Sequence, residues 1–487
     1  MPPSTRNKPR TAAPPEPLSS RYTVFTRVAS TCSILLLALT GCLPSAQTQR
    51  PNVLLITVDT LRTDHLGTYG YPLDTSPNID RLAAAGTLVE RCLSTAPETA
   101  PGTASLITGL YQDSHTVVYN RRTLPDDVQT LAERLSEVGY RSAAFIGNFL
   151  VGPKFGFDQG FDVAETFEGV IPVAPRDELG TTAALEWLTT QRARTDPAPW
   201  FLWVHYLDPH GPYTPLDTTW IDAVEYDPAI FGADLDLEIA ESNFGLGIIP
   251  HYQRFFEQKR PSQYFRRYDG EIRNTDRAIG RLLEDIDESG DARSTLVVLT
   301  ADHGESLVEH DEYFQHGWFL YDTTLRIPLI FRLPGIIPER QRVTAEASAV
   351  DVVPTVLDIL EIEAGEGHLD GRSLKAALTG KNALGSVPVF AYGPRDNHQF
   401  AVSMDGYKLI QTPAGAPEMQ DAPPRPDAAE RLELYWVADD PAETRELARD
   451  HPKFSELRGI LKEYVQRFRH RYWTRVRELQ QQRKNDH

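Results

Sequence analysis

The sequence of 487 residues contains only three cysteines, Cys32, Cys42 and Cys92, which are too few for a disulfide framework. It also lacks an excess of basic residues, because 68 Asp and Glu stand against 49 Lys and Arg, a formal charge of −19. That balance argues against nucleic acid as a partner and requires a local cationic site for any anionic substrate. Apolar residues make up 41% of the chain, which excludes collagen-like, coiled-coil and wholly disordered classes.

The N-terminal segment lacks an apolar run long enough to span a membrane comfortably, but it has the features of an export signal. Five basic residues precede a short apolar run at residues 34–39, and the small residues Thr40 and Gly41 then lead to Cys42. This ending resembles a bacterial lipobox. We therefore predict a lipoprotein signal peptide at residues 1–41, a lipid on Cys42 and a polar tether at 42–50. An ordinary signal peptide cut nearby, or a retained membrane anchor, is the alternative.

From residue 51, short β-rich runs alternate with amphipathic stretches, which is typical of parallel strands joined by crossover helices. The predicted strands lie at 53–58, 142–146, 201–206, 295–300 and 328–331, and the predicted helices at 79–85, 128–138, 181–190, 266–286 and 352–360. Residues 216–262 interrupt this alternation with Pro, Gly and acidic residues, so we interpret them as an insertion over one end of the sheet. Residues 385–480 predict a smaller α+β subdomain with strands at 387–391, 407–410 and 432–436, a Pro-rich loop at 413–426 and a terminal helix.

Two of the most apolar predicted strands end in acidic residues. The run VLLITV at 53–58 leads into Asp59, and LVVLTA at 296–301 leads into Asp302 and His303. Ligands bind beyond the carboxyl ends of the strands in an open α/β sheet. A carboxylate held there on an apolar element is costly unless a cation or a donor compensates it, so the two acids together predict a metal site. Either Asp alone is also typical of a helix N-cap or a turn.

A short helix is predicted between these two acids, within residues 96–109. Pro101 suits its first turn, and Gly109 can supply the left-handed residue that ends it. Thr99 then precedes the helix N-terminus, where free N–H groups and the helix dipole favour an anion. A hydroxyl beside a divalent cation can be deprotonated near neutral pH and attack sulfur or phosphorus, so Thr99 is a candidate nucleophile as well as a candidate cap. The spacing also leaves open Thr95, Thr103 and Ser105.

Several segments of the sequence closely resemble the sulfatase family of the alkaline phosphatase superfamily. They are PNVLLITVDTLRTDHLG at 51–67, SPNIDRL at 76–82, ADHGE at 301–305, LRIPLI at 325–330 and the stretch at 434–447. They follow the family's order along the chain. The resemblance implies an α/β fold of the alkaline-phosphatase type, with a mostly parallel sheet sandwiched by helices over residues 51–375 and the α+β subdomain behind it.

The resemblance also implies site residues. Asp59, Asp302 and His303 fall on metal ligands of the family, and Thr99 falls on the nucleophile, whose hydroxyl oxygen is expected to join them in the coordination sphere of the metal. In sulfatases that nucleophile is a Cys or Ser, converted to formylglycine within the pattern C/S-x-P-x-R. The segment TAPGT at 99–103 has neither the convertible residue nor the Arg, so formylglycine chemistry is not expected.

Two further positions depart from the family pattern. Thr60 stands where many sulfatases carry another metal-binding Asp, and Trp318 stands near where several place a sulfate-clamping Lys. A Thr nucleophile with this metal set resembles relatives that act on phosphate mono- and diesters or transfer phospho-groups. It also occurs in many bacterial sulfatase-like chains whose substrates the pattern does not fix.

Other polar residues near the predicted strand ends have competing interpretations. In HYLDPHGPY at 205–213, His210 matches a substrate-contacting His of the family and is a candidate general acid. Alternatively, a second metal could be held by Asp208, His210 and His316, as in two-metal phosphodiesterase relatives. Arg62 is a candidate substrate-binding residue, with a salt bridge as the equal alternative. His205 and His115 are interpreted as structural histidines, and Glu305 as a carboxylate outside the chemistry.

The leading hypothesis is an exported, metal-dependent hydrolase of a sulfate or phosphate ester that uses Thr99. The substrate would be a small anionic ester or a sulfated or phosphorylated glycan or lipid. One divalent ion is expected, Ca²⁺, Mg²⁺, Mn²⁺ or Zn²⁺. Alternatives are a phosphodiesterase or phospho-group transferase of the same superfamily, and a non-catalytic surface lipoprotein. The export signal predicts a bacterial cell envelope location, in the periplasm or at the cell surface.

Overall fold

A computed structural model describes most of the chain after residue 49. The described ranges are 50–167, 176–225, 227–228, 234–243, 246–365, 367–381, 383–394, 398–414 and 429–485. The predicted signal peptide and all of the tether but Arg50 lie outside these ranges, as does most of the Pro-rich loop. Within them, no helix has both the length and the apolar character needed to cross a membrane.

The larger sheet positions the predicted site. Its strands are β1 (Asn52–Val58), β2 (Thr87–Leu93), β3 (Arg141–Ile146), β4 (Val163–Thr166), β5 (Trp200–Tyr206), β6 (Thr295–Ala301), β7 (Arg326–Arg332), β8 (Gln341–Val343) and β9 (Ala347–Ser348). Their order is β4-β3-β5-β1-β6-β7-β2-β8, with β9 beside β2. Strands β4, β3, β5, β1 and β6 run parallel, whereas β7 is antiparallel to β6 and β2. The mostly parallel sheet expected from the sequence is confirmed.

Helices connect and cover these strands. They are α1 (Pro77–Ala84), α2 (Thr99–Thr108), α3 (Gln112–His115), α4 (Leu131–Ser136), α5 (Arg176–Arg192), α6 (Thr218–Ala223), α7 (Pro261–Glu288), α8 (Asp322–Leu325), α9 (Val352–Ile359), α10 (Lys375–Leu378) and α11 (Pro452–Asn485). Helix α7 packs against α1 and α5, and α5 packs against β3 and β5. The central strand β1 is almost continuously apolar and buried, as expected for a parallel strand with both neighbours in place.

A smaller antiparallel sheet forms the C-terminal part, which confirms the predicted α+β subdomain. Its strands, in spatial order, are β10 (Val389–Gly393), β11 (Gln399–Met404), β12 (Tyr407–Thr412) and β13 (Arg431–Trp436), and α11 packs against β11 and β12. The small sheet also contacts the loop before α2, because the Tyr392 N–H donates to the Thr95 carbonyl at 2.9 Å. The subdomain therefore supports the segment that carries Thr99.

The sequence did not predict β2, β4, β8, β9 or β11. In β2 the apolar run is broken by Glu90 and Arg91, and Arg91 is paired with Asp322 and Glu346 across the fold, a compensation that a local pattern does not reveal. The predicted insertion at residues 216–262 contributes α6 and an ordered turn. In that turn Gln253 donates to the Phe314 carbonyl at 2.8 Å, two residues before His316.

Candidate active site

Three side chains from adjacent parallel strands meet at the carboxyl edge of the large sheet. Asp59 follows β1, Asp302 follows β6, and His205 is the second-last residue of β5. Thr57, two residues before Asp59, pairs with His205 on one side and with Thr300, two residues before Asp302, on the other. Because side chains alternate along a strand, those of Asp59, His205 and Asp302 point to the same face of the sheet. One ligand atom from each lies within 4.8 Å of the other two, and we call these three residues the metal cradle.

The metal cradle is buried and incompletely hydrogen-bonded. Each of its side chains is at most 1% exposed, and Asp59 Oδ1, Asp302 Oδ2 and His205 Nε2 have no hydrogen-bond partner. Burial, and then the charge of Asp59, raise the pKa of Asp302 well above its usual range. Burial would also raise the pKa of Asp59, but His210, His205 and His303 outweigh it and lower that pKa to about 2. Two close, buried carboxylates with inward-facing oxygens fit a divalent cation.

Hydrogen bonds to the other carboxylate oxygens orient the cradle. Asp59 Oδ2 accepts from Asn148 Nδ2 at 2.7 Å. Asp302 Oδ1 accepts from the backbone N–H groups of His303 at 2.9 Å and Thr60 at 3.3 Å. The sequence analysis missed Asn148, although the signal was present, because this residue lies two positions beyond the end of β3 and therefore at the same edge of the sheet.

His303 faces the same carboxylates from the side of Thr99. Its Nε2 lies 3.5 Å from Asp59 Oδ1, 3.6 Å from Asp302 Oδ2 and 3.3 Å from Thr99 Oγ1. Its Nδ1 lies 2.7 Å from the Gly304 carbonyl oxygen, which can only accept, so Nδ1 carries the proton. The structure thus brings together the four residues that the resemblance implies for the metal and the nucleophile.

Thr99 occupies the first turn of α2 and is fully buried. The sequence placed it just before the helix, but Thr99 is the first helical residue and Glu98 is the N-cap, without a side-chain capping bond. Thr99 is therefore not a helix cap, which leaves its hydroxyl free for the contact with His303. The N–H of Ala100 donates to Asn120 Oδ1 at 2.8 Å, so one of the helix N-terminal donors expected to face an anion is already paired.

Gly102 explains how close this helix comes to the metal cradle. A Cβ at this position would lie 2.5 Å from the Asp302 carbonyl oxygen, too close for any side chain, so the position requires glycine. Gly109 ends the helix with a φ of 72°, as predicted. Two of the other hydroxyls considered, those of Thr95 and Ser105, are hydrogen-bonded elsewhere. Thr95 donates to Ser105 Oγ at 2.7 Å, and Ser105 in turn lies 3.0 Å from His115 Nε2.

Histidines 210 and 316 lie beside this centre. The His316 ring centroid is 4.3 Å from that of His303 and 5.2 Å from that of the partly buried His210. His316 Nδ1 lies 3.3 Å from Oε1 of the buried Glu305. Among the described residues, the metal cradle is the one group of three or more potential ligands that meets the mutual 4.8 Å distance. Asp208, His210 and His316 do not form such a group, and the second metal stays a prediction.

The structure bears on three further sequence interpretations. Arg62 uses its guanidinium for Asp64 at 2.7 Å, Glu309 at 2.9 Å and the Glu305 carbonyl at 2.9 Å, so the salt bridge is present and the substrate-binding role stays a prediction. His115 is a structural histidine as predicted, because both ring nitrogens are hydrogen-bonded. His205 was also expected to be a structural histidine, but its Nε2 faces Asp59 without a hydrogen bond.

The chain is similar to known proteins of one family. The Sulfatase family model matches residues 51–362, and the model described as N-sulphoglucosamine sulphohydrolase, C-terminal, matches residues 309–471. A delta 4,5-hexuronate-2-O-sulfatase of Bacteroides thetaiotaomicron is 25% identical over 470 residues, which cover 90% of this chain and 93% of that protein.

Two solved structures share the fold. A structure in complex with its substrate D-glucosamine-2-N,6-O-disulfate aligns with a TM-score of 0.70 at 21% identity, over 86% of this chain and 98% of that one. The phosphonate monoester hydrolase of Agrobacterium radiobacter aligns with a TM-score of 0.66 at 21% identity, over 87% and 96%. Both likenesses support the alkaline-phosphatase-like fold. Because the family model covers more than half of the sequence, this chain belongs to the sulfatase family of ester-hydrolysing enzymes.

Proposed function

We propose that the enzyme hydrolyses a sulfate ester of a glycan through a covalent intermediate on Thr99, with a divalent ion held by Asp59, Asp302 and His303. The observation that carries the proposal is the placement of the buried Thr99 hydroxyl 3.3 Å from His303 Nε2, at the edge of the metal cradle. A divalent ion bound there would neutralise charge on the ester group and favour the ionised form of the hydroxyl.

Thr99 is positioned for the first step. Its Oγ1 loses its proton to water and forms a bond to sulfur, while the bond from sulfur to the leaving oxygen breaks and the electron pair stays on that oxygen. The helix N-terminus beneath Thr99 favours the negative charge that develops in this step. Gly102 permits the close approach of the helix to Asp302 that this geometry requires.

His210 is positioned to protonate the leaving group. Its Nδ1 lies 2.7 Å from the Gly211 carbonyl oxygen, so Nδ1–H donates there and Nε2 is the atom that can give a proton to the leaving oxygen. A water molecule then attacks the Thr99 ester, which releases sulfate and restores the hydroxyl. His316, held by Glu305, lies beside His210 and helps to orient its ring.

The relatives support a sulfated glycan as the substrate. The hexuronate-2-O-sulfatase aligns with nearly the whole chain, and the first solved structure holds a disulfated glucosamine. The second candidate is a phosphorus ester, either a monoester or a diester. It is favoured by the shared fold of the phosphonate monoester hydrolase and by the absence of a formylglycine motif around Thr99.

The test is turnover of aryl sulfate, sulfated glycan fragments, aryl phosphate, a phosphodiester and a phosphonate monoester by the wild type and by Thr99→Ala. We expect the substitution to lower turnover of the best substrate by about a thousandfold or more. Thr108→Ala is the matched control, because this hydroxyl at the other end of α2 bonds the Ala104 carbonyl and should leave turnover unchanged. Equal turnover by Thr99→Ala would remove Thr99 from the mechanism.

The same substrate panel separates the remaining alternatives. Transfer of labelled phosphate to an added alcohol in preference to water would indicate a phospho-group transferase. Tight metal binding without turnover of any ester would indicate a non-catalytic surface lipoprotein.

The location in the cell envelope is a proposal from the sequence. Membrane fractionation of Cys42→Ser tests it, because loss of the lipid-bearing residue should move the protein to the soluble fraction.

A further inference from the structure

His205 lies in the metal cradle and has no role in the chemistry proposed above. Its side chain is 1% exposed, and its Nε2 lies 3.8 Å from Asp59 Oδ2, which is too far for a hydrogen bond. No hydrogen-bond partner satisfies this nitrogen. Buried polar atoms are almost always paired, and the groups that this one faces are carboxylates that themselves require a cation.

The opposite side of the ring offers an acceptor for a proton on Nδ1. His205 Nδ1 lies 2.7 Å from Thr57 Oγ1, and the same oxygen accepts from Trp203 Nε1 at 2.9 Å. The indole can only donate, so it uses one lone pair of Thr57 Oγ1, and the second lone pair can accept from an Nδ1–H of His205. The neutral ring then presents a lone pair at Nε2. His303 is arranged in the same way, with Nδ1 at the Gly304 carbonyl.

We infer that His205 Nε2 is a direct ligand of the divalent ion, together with Asp59, Asp302 and His303. The inference rests on the metal of the proposed function and extends it to the ion's chemical class. Ligand atoms around an ion with bonds of about 2.0–2.2 Å lie roughly 3–4.4 Å apart. The ligand atoms of Asp59, His205 and Asp302 lie within 4.8 Å of one another, so these three need a contraction of at most a few tenths of an ångström. His303 Nε2 lies 3.5 Å from Asp59 Oδ1 and 3.6 Å from Asp302 Oδ2.

A second imidazole changes which ions the site prefers. Ca²⁺ takes six to eight oxygen ligands, and Mg²⁺ retains several waters. Two ring nitrogens with two carboxylates suit Mn²⁺ or Zn²⁺, which accept nitrogen readily. A hydrogen bond from each Nδ1 to an oxygen is also the usual support of a metal-bound histidine. The site is thus built for a transition-metal ion.

The first test counts nitrogen ligands in the wild-type enzyme. The protein is stripped with a chelator, loaded with Mn²⁺ and measured by electron spin echo spectroscopy, which detects directly bound ¹⁴N. Two coupled imidazole nitrogens are expected. A single nitrogen would overturn the inference and leave the proposed ligands Asp59, Asp302 and His303 intact. Failure to bind any metal would instead overturn the metal-dependent function together with this inference.

The second test compares His205→Gln with His115→Gln, the matched control. Both residues are buried, but His115 is bonded to Ser105 and Val117. Calorimetric titration should show Mn²⁺ and Zn²⁺ binding weakened about 10- to 100-fold by His205→Gln, with loss of one ¹⁴N coupling. Ca²⁺ binding should change less than threefold, and the control should match the wild type. An unchanged Mn²⁺ affinity and ¹⁴N signal in His205→Gln would overturn the inference.

Discussion

Two buried charged clusters of this enzyme are balanced in opposite ways. In the metal cradle, Asp59 and Asp302 lie together with inward-facing oxygens that have no hydrogen-bond partner. In the second cluster, which we call the Lys408 network, the fully buried Lys408 Nζ lies 2.7 Å from Asp322 Oδ1 and 2.6 Å from Glu443 Oε1. Arg91 also pairs with Asp322.

The pKa shifts of the two clusters reflect this difference. Burial and the charge of Asp59 raise the pKa of Asp302. Burial acts in the same direction on Asp322, but Arg91 and Lys408 outweigh it and hold that pKa well below its usual range. A buried cluster that supplies its own opposite charges serves stability, because it joins β12 to the segment after His316. A cluster that lacks them serves ligand binding at the expense of stability in the metal-free state.

The largest effect should come from Asp302→Asn. We expect turnover to fall by about a thousandfold or more, because one carboxylate of the proposed metal site is lost. The metal-free variant should be at least as stable as the metal-free wild type, because repulsion with Asp59 is removed while the amide oxygen can still accept from His303 and Thr60. Kinetics, metal content and urea unfolding measure these quantities. A large loss of stability without loss of metal would assign Asp302 to the fold.

Lys408→Met should have the opposite effects, a loss of stability with little change in metal affinity. It leaves Asp322 and Glu443 buried without their shared cation, which should lower the free energy of unfolding by about 3–5 kcal/mol. The metal affinity of the folded fraction should stay within twofold of the wild type. Urea unfolding and calorimetric Mn²⁺ titration on the same preparation test this. A variant that kept full stability would show that Lys408 contributes little net free energy to the network.

Metal binding should stabilise the folded protein through the metal cradle alone. At a free Mn²⁺ concentration one hundred times the Kd, the free energy of unfolding should rise by about 2.7 kcal/mol in the wild type. Lys408→Met should gain the same amount at the same ratio to its own Kd, whereas Asp302→Asn should gain little at the wild-type concentration. Thermal unfolding with and without chelator measures the gain. An equal gain in all three proteins would place the stabilising ion elsewhere.

The comparison also shows what the sequence could reveal. Asp59, Asp302 and Thr99 were predictable because each stands in a local pattern, the end of an apolar strand or the start of a short helix. Asn148 also follows the end of a predicted strand, but its contact with Asp59, like that of His205, depends on the spatial order β3-β5-β1, which differs from the order along the chain. The Lys408 network joins β12, β2 and the segment after His316, and no local pattern indicates that their charges meet.

The smallest effect should be the pH dependence of the metal-free protein, and its sign differs between the two clusters. Asp302 has a raised pKa in the folded state, so it costs stability as the pH rises above about 4, the ordinary unfolded value. Asp322 has a lowered pKa, so its contribution is fully present above about pH 4 and is lost as the pH falls through the folded value. As the pH falls from 7 to 5, the metal-free wild type should therefore gain more stability than metal-free Asp302→Asn.

Urea midpoints at pH 5, 6 and 7 in the presence of chelator measure this difference. Other acids with raised pKa values, such as Glu443 and Asp113, are shared by both proteins, so the difference between wild type and Asp302→Asn isolates the cradle. Asp322→Asn should also gain less stability than the wild type as the pH falls from 7 to 5, because burial and the charge of Asp322 raise the pKa of Glu443 to about 7 and removal of that charge lowers it. Parallel curves for the wild type and Asp302→Asn would mean either that a residual cation neutralises the metal cradle or that Asp302 is ionised without a cation. Repeating the measurement after exhaustive metal removal separates these two causes.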